Sequence, residues 1–286
     1  MKTIVELLEN SALKNGNNPY LLEKKTDRYE SLSYKETKEL TYATAAGMIA
    51  LGLEKGDRVA LLSESRSDWV LSELGILHAG AICVPLSILL KEGADLKFRI
   101  EHSGSRWIIV SALQYEKIKA IRKDLVSLEK VILLDPRESY DEDEVFMGRV
   151  RNSGEEFIKF NNQKFTERIS SVGPDDYANI SYTSGTTADP KAIILSHRNY
   201  TANIEQTLTL MDVPSWWTTL LILPWDHSFA HTVGIYIMMA TGASLAAVQS
   251  GKSYLDSIKH IPDNIREIRP VFLLSAPALA KNFRKG

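Results

Sequence analysis

Short, continuous apolar runs alternate with longer amphipathic stretches along most of this chain. Val59-Ala60-Leu61-Leu62, Ile82-Cys83-Val84, Trp107-Ile108-Ile109-Val110 and Val131-Ile132-Leu133-Leu134 read as strands buried on both faces. Between them, Trp69 to Leu77, Ala94 to His102 and Tyr115 to Leu125 have helical spacing. Upstream, Ile4 to Leu13 predicts a helix closed by Asn15-Gly16-Asn17-Asn18-Pro19. A hairpin over residues 20–23 and 29–34 follows, then a helix from Lys35 to Leu51 with Gly52 as its C-terminal cap. Such alternation predicts an α/β fold of mostly parallel sheets covered by helices.

Residues 135–173 break the pattern. They carry Asp141-Glu142-Asp143-Glu144 and several asparagines, and read as an exposed acidic excursion with one short helix near Glu156 to Asn161. Consecutive carboxylates lack the spacing of a calcium loop, so no metal site is assigned. The alternation then resumes. Tyr177 to Tyr182 and Ala192 to Leu195 are strands, Ser196 or His197 opens a helix, and Trp216 to Leu223 is a strand. Phe229 to Ala240 is a helix, Ser244 to Val248 a strand, Tyr254 to Ile261 a helix, and a strand begins at Arg269. We expect two α/β units, 1–174 and 175–286, the second carrying a polar loop at 182–191.

Composition narrows the class. The 286 residues are 44% hydrophobic and 24% charged, which suits a globular protein. Thirty-four basic residues nearly balance 36 acidic ones, and a net charge of -2 gives no basic face for nucleic acid. The single cysteine, Cys83, lies in an apolar run and fits a buried role in a reducing compartment. No signal peptide is recognised, and no uncharged apolar run reads as long enough to span a bilayer. A cytoplasmic location is expected.

The polar loop carries the candidate chemistry. Thr183, Ser184, Thr186 and Thr187 gather around Gly185, and Asp189-Pro190 leads to Lys191. Hydroxyls, backbone N–H groups and one ammonium can surround a phosphate, although a polar hairpin turn has the same composition. Gly185 and Lys191 have the Walker A offset. Pro190 and Ala192, however, stand where that loop needs glycine and a Mg2+-binding hydroxyl, so a P-loop NTPase is disfavoured. His227, in Leu223-Pro224-Trp225-Asp226-His227, is either a structural histidine or a site residue.

Taken together, Tyr182-Thr183-Ser184-Gly185-Thr186-Thr187-Ala188-Asp189-Pro190-Lys191-Ala192, followed by Ser196-His197, resembles the signature of the adenylate-forming enzymes. These are the superfamily of acyl-CoA synthetases, luciferases and peptide-synthetase adenylation domains. The Leu223–His227 segment, Val84-Pro85-Leu86, and Arg269-Pro270 followed by Ser275-Ala276-Pro277 extend the resemblance over essentially the whole chain. Its flavour is closest to long-chain fatty acid–CoA ligases. The resemblance implies the N-terminal large-domain portion of an acyl-CoA synthetase-like fold. It also implies a ligase that uses ATP, Mg2+ and coenzyme A to activate a carboxylic acid, a fatty acid foremost, through an acyl-adenylate. Thr183, Ser184, Gly185, Thr186, Thr187 and Lys191 would hold the phosphates, and Lys191 and His227 would serve catalysis. Peripheral membrane contact would suit a long-chain substrate.

Ala188 and Ala192 replace two glycines of the signature. If either position needs positive φ, its methyl strains the loop. The adenine-binding segment, the ribose-binding aspartate and the small C-terminal domain would lie beyond Gly286. The chain alone is therefore expected not to adenylate at a useful rate. Two other readings stand beside this one: an aryl, short-chain or carrier-protein acyl ligase, and a non-catalytic nucleotide-binding or interaction module.

Overall fold

The computed structural model describes residues 2–91, 93–183 and 190–274. The chain begins with α1 (Ile4–Asn15), β1 (Pro19–Lys24), β2 (Tyr29–Ser33) and α2 (Tyr34–Ala50). Helix α2 starts on a capping box: the Ser33 hydroxyl accepts from Glu36 N, and the Glu36 carboxylate accepts from Ser33 N. Then come β3 (Arg58–Leu62), α3 (Ser67–His78), β4 (Ile82–Pro85), α4 (Ala94–Ser103), β5 (Trp107–Val110), α5 (Ala112–Ile121) and β6 (Lys130–Leu133). Strands β3, β4, β5 and β6 are the apolar runs expected from sequence. Their side chains are buried on both faces because helices cover both sides.

Residues 135–173 depart from expectation. They form β7 (Glu144–Phe146), which adds to β6 in parallel, and α6 (Met147–Ser170), a helix of 24 residues kinked at Asn161. This is no exposed excursion, because α6 packs on α2 at a crossing of small residues. A β-carbon on Gly47 would lie 1.9 Å from Val150 O, and one on Gly154 would lie 1.9 Å from Ala43 O. Met147, Val150 and Phe165 complete the buried face. The acidic run is partly paired: Asp143 with Arg122, and Glu144 with the Tyr115 hydroxyl.

The remainder comprises β8 (Tyr177–Thr183), β9 (Lys191–Ser196), α7 (His197–Leu210), β10 (Thr218–Leu221) and a π-helix (Ala230–Tyr236). It ends with α8 (Ile237–Thr241), β11 (Ser244–Ala247), α9 (Tyr254–Lys259), α10 (Ile261–Ile268) and β12 (Phe272–Leu274). The helix expected over 229–240 is thus π-helical for most of its length, and the strand expected over 216–223 is regular only from Thr218 to Leu221.

Two mostly parallel sheets result. One runs β7-β6-β5-β3-β4-β8-β9, the other β12-β10-β11-β1-β2. Among the described residues, only the β8–β9 and β1–β2 pairs are antiparallel. A boundary at 174/175 cuts across both sheets, since β8 and β9 complete the first and β1 and β2 complete the second. Among the described residues no helix is long and apolar enough to cross a membrane.

Candidate nucleotide and acyl site

Strand β8 continues the first sheet beside β4, with Cys83 opposite Asn179. Ala178, Asn179 and Ile180 are buried, which fixes where the hairpin leaves the sheet. The antiparallel register then sets Thr183 opposite Lys191 and Tyr182 opposite Ala192. Directly opposed residues share a face. The Thr183 hydroxyl and the Lys191 ammonium therefore flank the mouth of the hairpin on one side, and both residues are exposed. Among the described residues no carboxylate pairs with Lys191. Ser184, Gly185, Thr186, Thr187 and Ala188 lie outside the described residues.

Tyr182 ties the hairpin to α4. Its hydroxyl donates to the Arg99 carbonyl at 3.2 Å and lies 2.9 Å from His102 Nδ1. With its one proton used on Arg99, the phenol oxygen accepts from the His102 Nδ1–H. The Arg99 guanidinium sits 5.7 Å from the ring centroid. Ala192 occupies a regular position in this ladder. Among the described non-glycine residues only Arg269 has positive φ, so the alanine at 192 causes no backbone strain.

His197 and His227 have different settings. The ring of His197 is buried and its Nδ1 accepts from Ile4 N at 3.3 Å, which pins α1. His227 is exposed, on the turn after β10, where its N–H donates to the Pro224 carbonyl at 3.3 Å. No hydrogen bond or ion pair joins His227 to Thr183 or Lys191 among the described residues. The pair Thr183 and Lys191 is brought together by register, whereas His227 is delivered by a separate sheet.

A cleft opens where the C-terminal ends of strands from both sheets meet, the usual place for ligands in open α/β sheets. Ser63 and Glu64 follow β3, Ser87 and Leu89 follow β4, Leu223 to Asp226 follow β10, and Val248 follows β11. Trp69, Trp225, Ile258 and Ile261 give it an apolar lining, and the cleft is partly open to solvent. Burial raises the Asp226 carboxyl above its ordinary range, opposed by the neighbouring His227.

Sequence reasoning did not single out Glu73 or His231. Glu73 lies fully buried on α3, and His231 Nδ1 is 3.2 Å from its Oε1. A lone carboxylate in the apolar run Val70-Leu71-Ser72-Glu73-Leu74 was the available signal. Among the described residues, no group of three or more His, Cys, Asp and Glu side chains could hold a metal ion.

Comparison with known proteins identifies the family and the fold. Residues 8–285 match the AMP-binding enzyme family. The long-chain-fatty-acid–CoA ligase ACSBG2 of Xenopus laevis is 26% identical over 286 residues, covering 96% of this chain and 37% of that protein. A chloroplastic long-chain-fatty-acid–acyl-carrier-protein ligase of Arabidopsis thaliana, AEE15, is 24% identical over 303 residues, covering 100% of this chain and 39% of that protein. The chain thus spans well under half the length of these relatives. Among solved structures, the inhibitor-bound N-terminal domain of FACL13 from Mycobacterium tuberculosis superposes with a TM-score of 0.77. It is 24% identical and covers 100% of this chain and 66% of that one, a likeness of fold. With the family matched over nearly its whole length and the signature's Thr183 and Lys191 set opposite each other, the chain belongs to the AMP-binding, adenylate-forming enzyme superfamily.

Proposed function

We propose that this chain forms the ATP-handling portion of an acid–thiol ligase that activates a carboxylic acid as its acyl-adenylate and passes the acyl group to coenzyme A. The observation that carries this reading is the Thr183–Lys191 pair at the mouth of the β8–β9 hairpin. Attack of the carboxylate on the α-phosphorus of ATP expels pyrophosphate, and the leaving charge must be offset as it develops. Lys191 supplies a fixed ammonium, and Thr183 supplies a hydroxyl donor from the same side. The hydroxyls of Ser184, Thr186 and Thr187 and the backbone of Gly185 would complete the cradle. Mg2+ would arrive with the nucleotide phosphates and share their charge. His227, on the turn beside the apolar cleft, would line the approach of the acid to the phosphorus, where orientation governs the rate.

The acid favoured is a long-chain fatty acid. Trp69, Trp225, Ile258 and Ile261 offer apolar surface at the His227 turn, and no described cation lines that cleft to hold a second acidic group. The fatty-acid ligases named among the relatives support the same choice. The test is acid-dependent ATP–pyrophosphate exchange by the complete protein containing this chain, over aliphatic acids of graded length and aryl acids. Coenzyme A and a carrier-protein thiol would be compared as acceptors. Exchange that rises with chain length, followed by transfer to coenzyme A, is the expected result. Exchange with aryl acids only, or with no acid, would contradict it.

A further inference from the structure

The π-helix between β10 and β11 holds a buried histidine whose proton positions can be worked out from its neighbours. His231 Nε2 lies 2.6 Å from the Trp225 carbonyl. A carbonyl only accepts, so Nε2 carries a proton. In the neutral ring Nδ1 is then a bare acceptor. It faces Glu73 Oε1 at 3.2 Å and the Tyr200 hydroxyl at 3.3 Å. Both carboxyl oxygens of Glu73 are buried without a well-formed hydrogen bond among the described residues. The groups around Glu73 are His231 and Tyr236 from the π-helix, Tyr20 from β1, Tyr200 from α7 and Cys83 from β4. No lysine or arginine is among them. An ionised carboxylate there would be a buried charge with no cation beside it and only the Tyr236 hydroxyl to offset it, which is costly.

We propose that Glu73, as the neutral carboxylic acid, donates to His231 Nδ1 and makes His231 the positioning residue for the Pro224–His227 turn. Burial favours the neutral form of both groups, raising Glu73 to about 8 and lowering His231 to about 4. His231 holds the turn at two points. Its ring donates to the Trp225 carbonyl, and its backbone N–H donates to the His227 carbonyl at 3.2 Å. The same helix that carries Glu73 also supplies Trp69, which meets the Trp225 ring edge-on at a centroid distance of 5.9 Å. Helix α3 belongs to the first sheet and the π-helix to the second, so the pair couples the two sheets at the cleft. A π-helical turn at such a point is common near functional sites.

The positioning role rests on the reading that His227 serves the acyl site, but the test does not use turnover. The chain would be labelled with 15N-histidine, and ring nitrogens read by long-range 1H–15N correlation between about pH 5 and 8, the range that brackets an ordinary imidazole pKa. The expected result is a neutral Nε2–H tautomer for His231 throughout. Glu73→Gln, whose amide N–H can replace the acid proton, should leave the His231 tautomer and the His227 ring signals as in the wild type. Glu73→Met fills the same space without a donor and should move both. An imidazolium at His231, or His227 signals unchanged in Glu73→Met, would overturn the proposal. Loss of pyrophosphate exchange with these signals intact would instead count against the adenylation reading alone.

Discussion

Gly47 on α2 and Gly154 on α6 meet so closely that a β-carbon built on Gly154 would lie 2.7 Å from Gly47 N. Backbone, not a flexible side chain, is what the added methyl would strike, so neither helix can yield by a rotamer change. Gly154→Ala gains helix propensity of about 1 kcal/mol, yet overpacking at such a contact costs roughly 1–3 kcal/mol or more. We expect Gly154→Ala and Gly47→Ala each to lower stability by about 2 kcal/mol in urea titrations. A change within about 0.5 kcal/mol, typical of surface substitutions, would show that the helices do not cross here.

This crossing also shows where reading the sequence stopped. Strands β3 to β6 were legible because burial on both faces makes an uninterrupted apolar run. Helix α6 was not, because its contact with α2 rests on Gly47, Gly154 and Val150 rather than on a stripe of large apolar residues. A hydrophobic period cannot register a contact made by the absence of a side chain. At the candidate site, the signature singled out Thr183 and Lys191, and β pairing sets these two residues opposite each other. The Glu73–His231 pair escaped notice because its partners are 158 positions apart and belong to different sheets.

His197 should make part of the stability acid-labile. Its Nδ1 accepts from Ile4 N, and burial lowers its pKa to about 4 from 6.5. Protonation would set two donors against each other. The unfolded chain takes up the proton below about pH 6.5 and the folded chain resists until about pH 4. The contribution is therefore complete above pH 6.5 and is lost as pH falls through that window. The stability advantage of wild type over His197→Asn should shrink by up to about 3 kcal/mol across it. A difference independent of pH would contradict the assignment.

Ala192 provides a test of the altered signature. It lies in regular register opposite Tyr182 without positive φ, so restoring glycine relieves nothing at that position. Ala192→Gly is expected to cost about 0.5–1 kcal/mol through added chain entropy and to leave MgATP affinity within about twofold, or roughly 0.4 kcal/mol. A large gain in affinity would mean that the methyl obstructs a phosphate.

Helix α1 offers an independent check on the fold around His197. Thr3 caps it by accepting from Glu6 N at 3.0 Å, and Ile4, Leu7 and Leu8 are fully buried. Thr3→Ala should lower stability by about 1 kcal/mol, and Leu7→Ala by roughly 2–5 kcal/mol. Equal, small effects in thermal unfolding would mean that α1 is not docked on the core.

The central claim is that the Thr183–Lys191 hairpin handles nucleotide phosphate, and calorimetric titration of the chain with MgATP tests it most directly. Wild type should bind. Lys191→Ala should bind about 10- to 100-fold more weakly, the loss expected for one charge-assisted hydrogen bond of about 1.5–3 kcal/mol, with the unfolding midpoint unchanged. Wild-type chain that releases no heat and shows no thermal shift with MgATP, or Lys191→Ala that binds as tightly as wild type, would contradict the account.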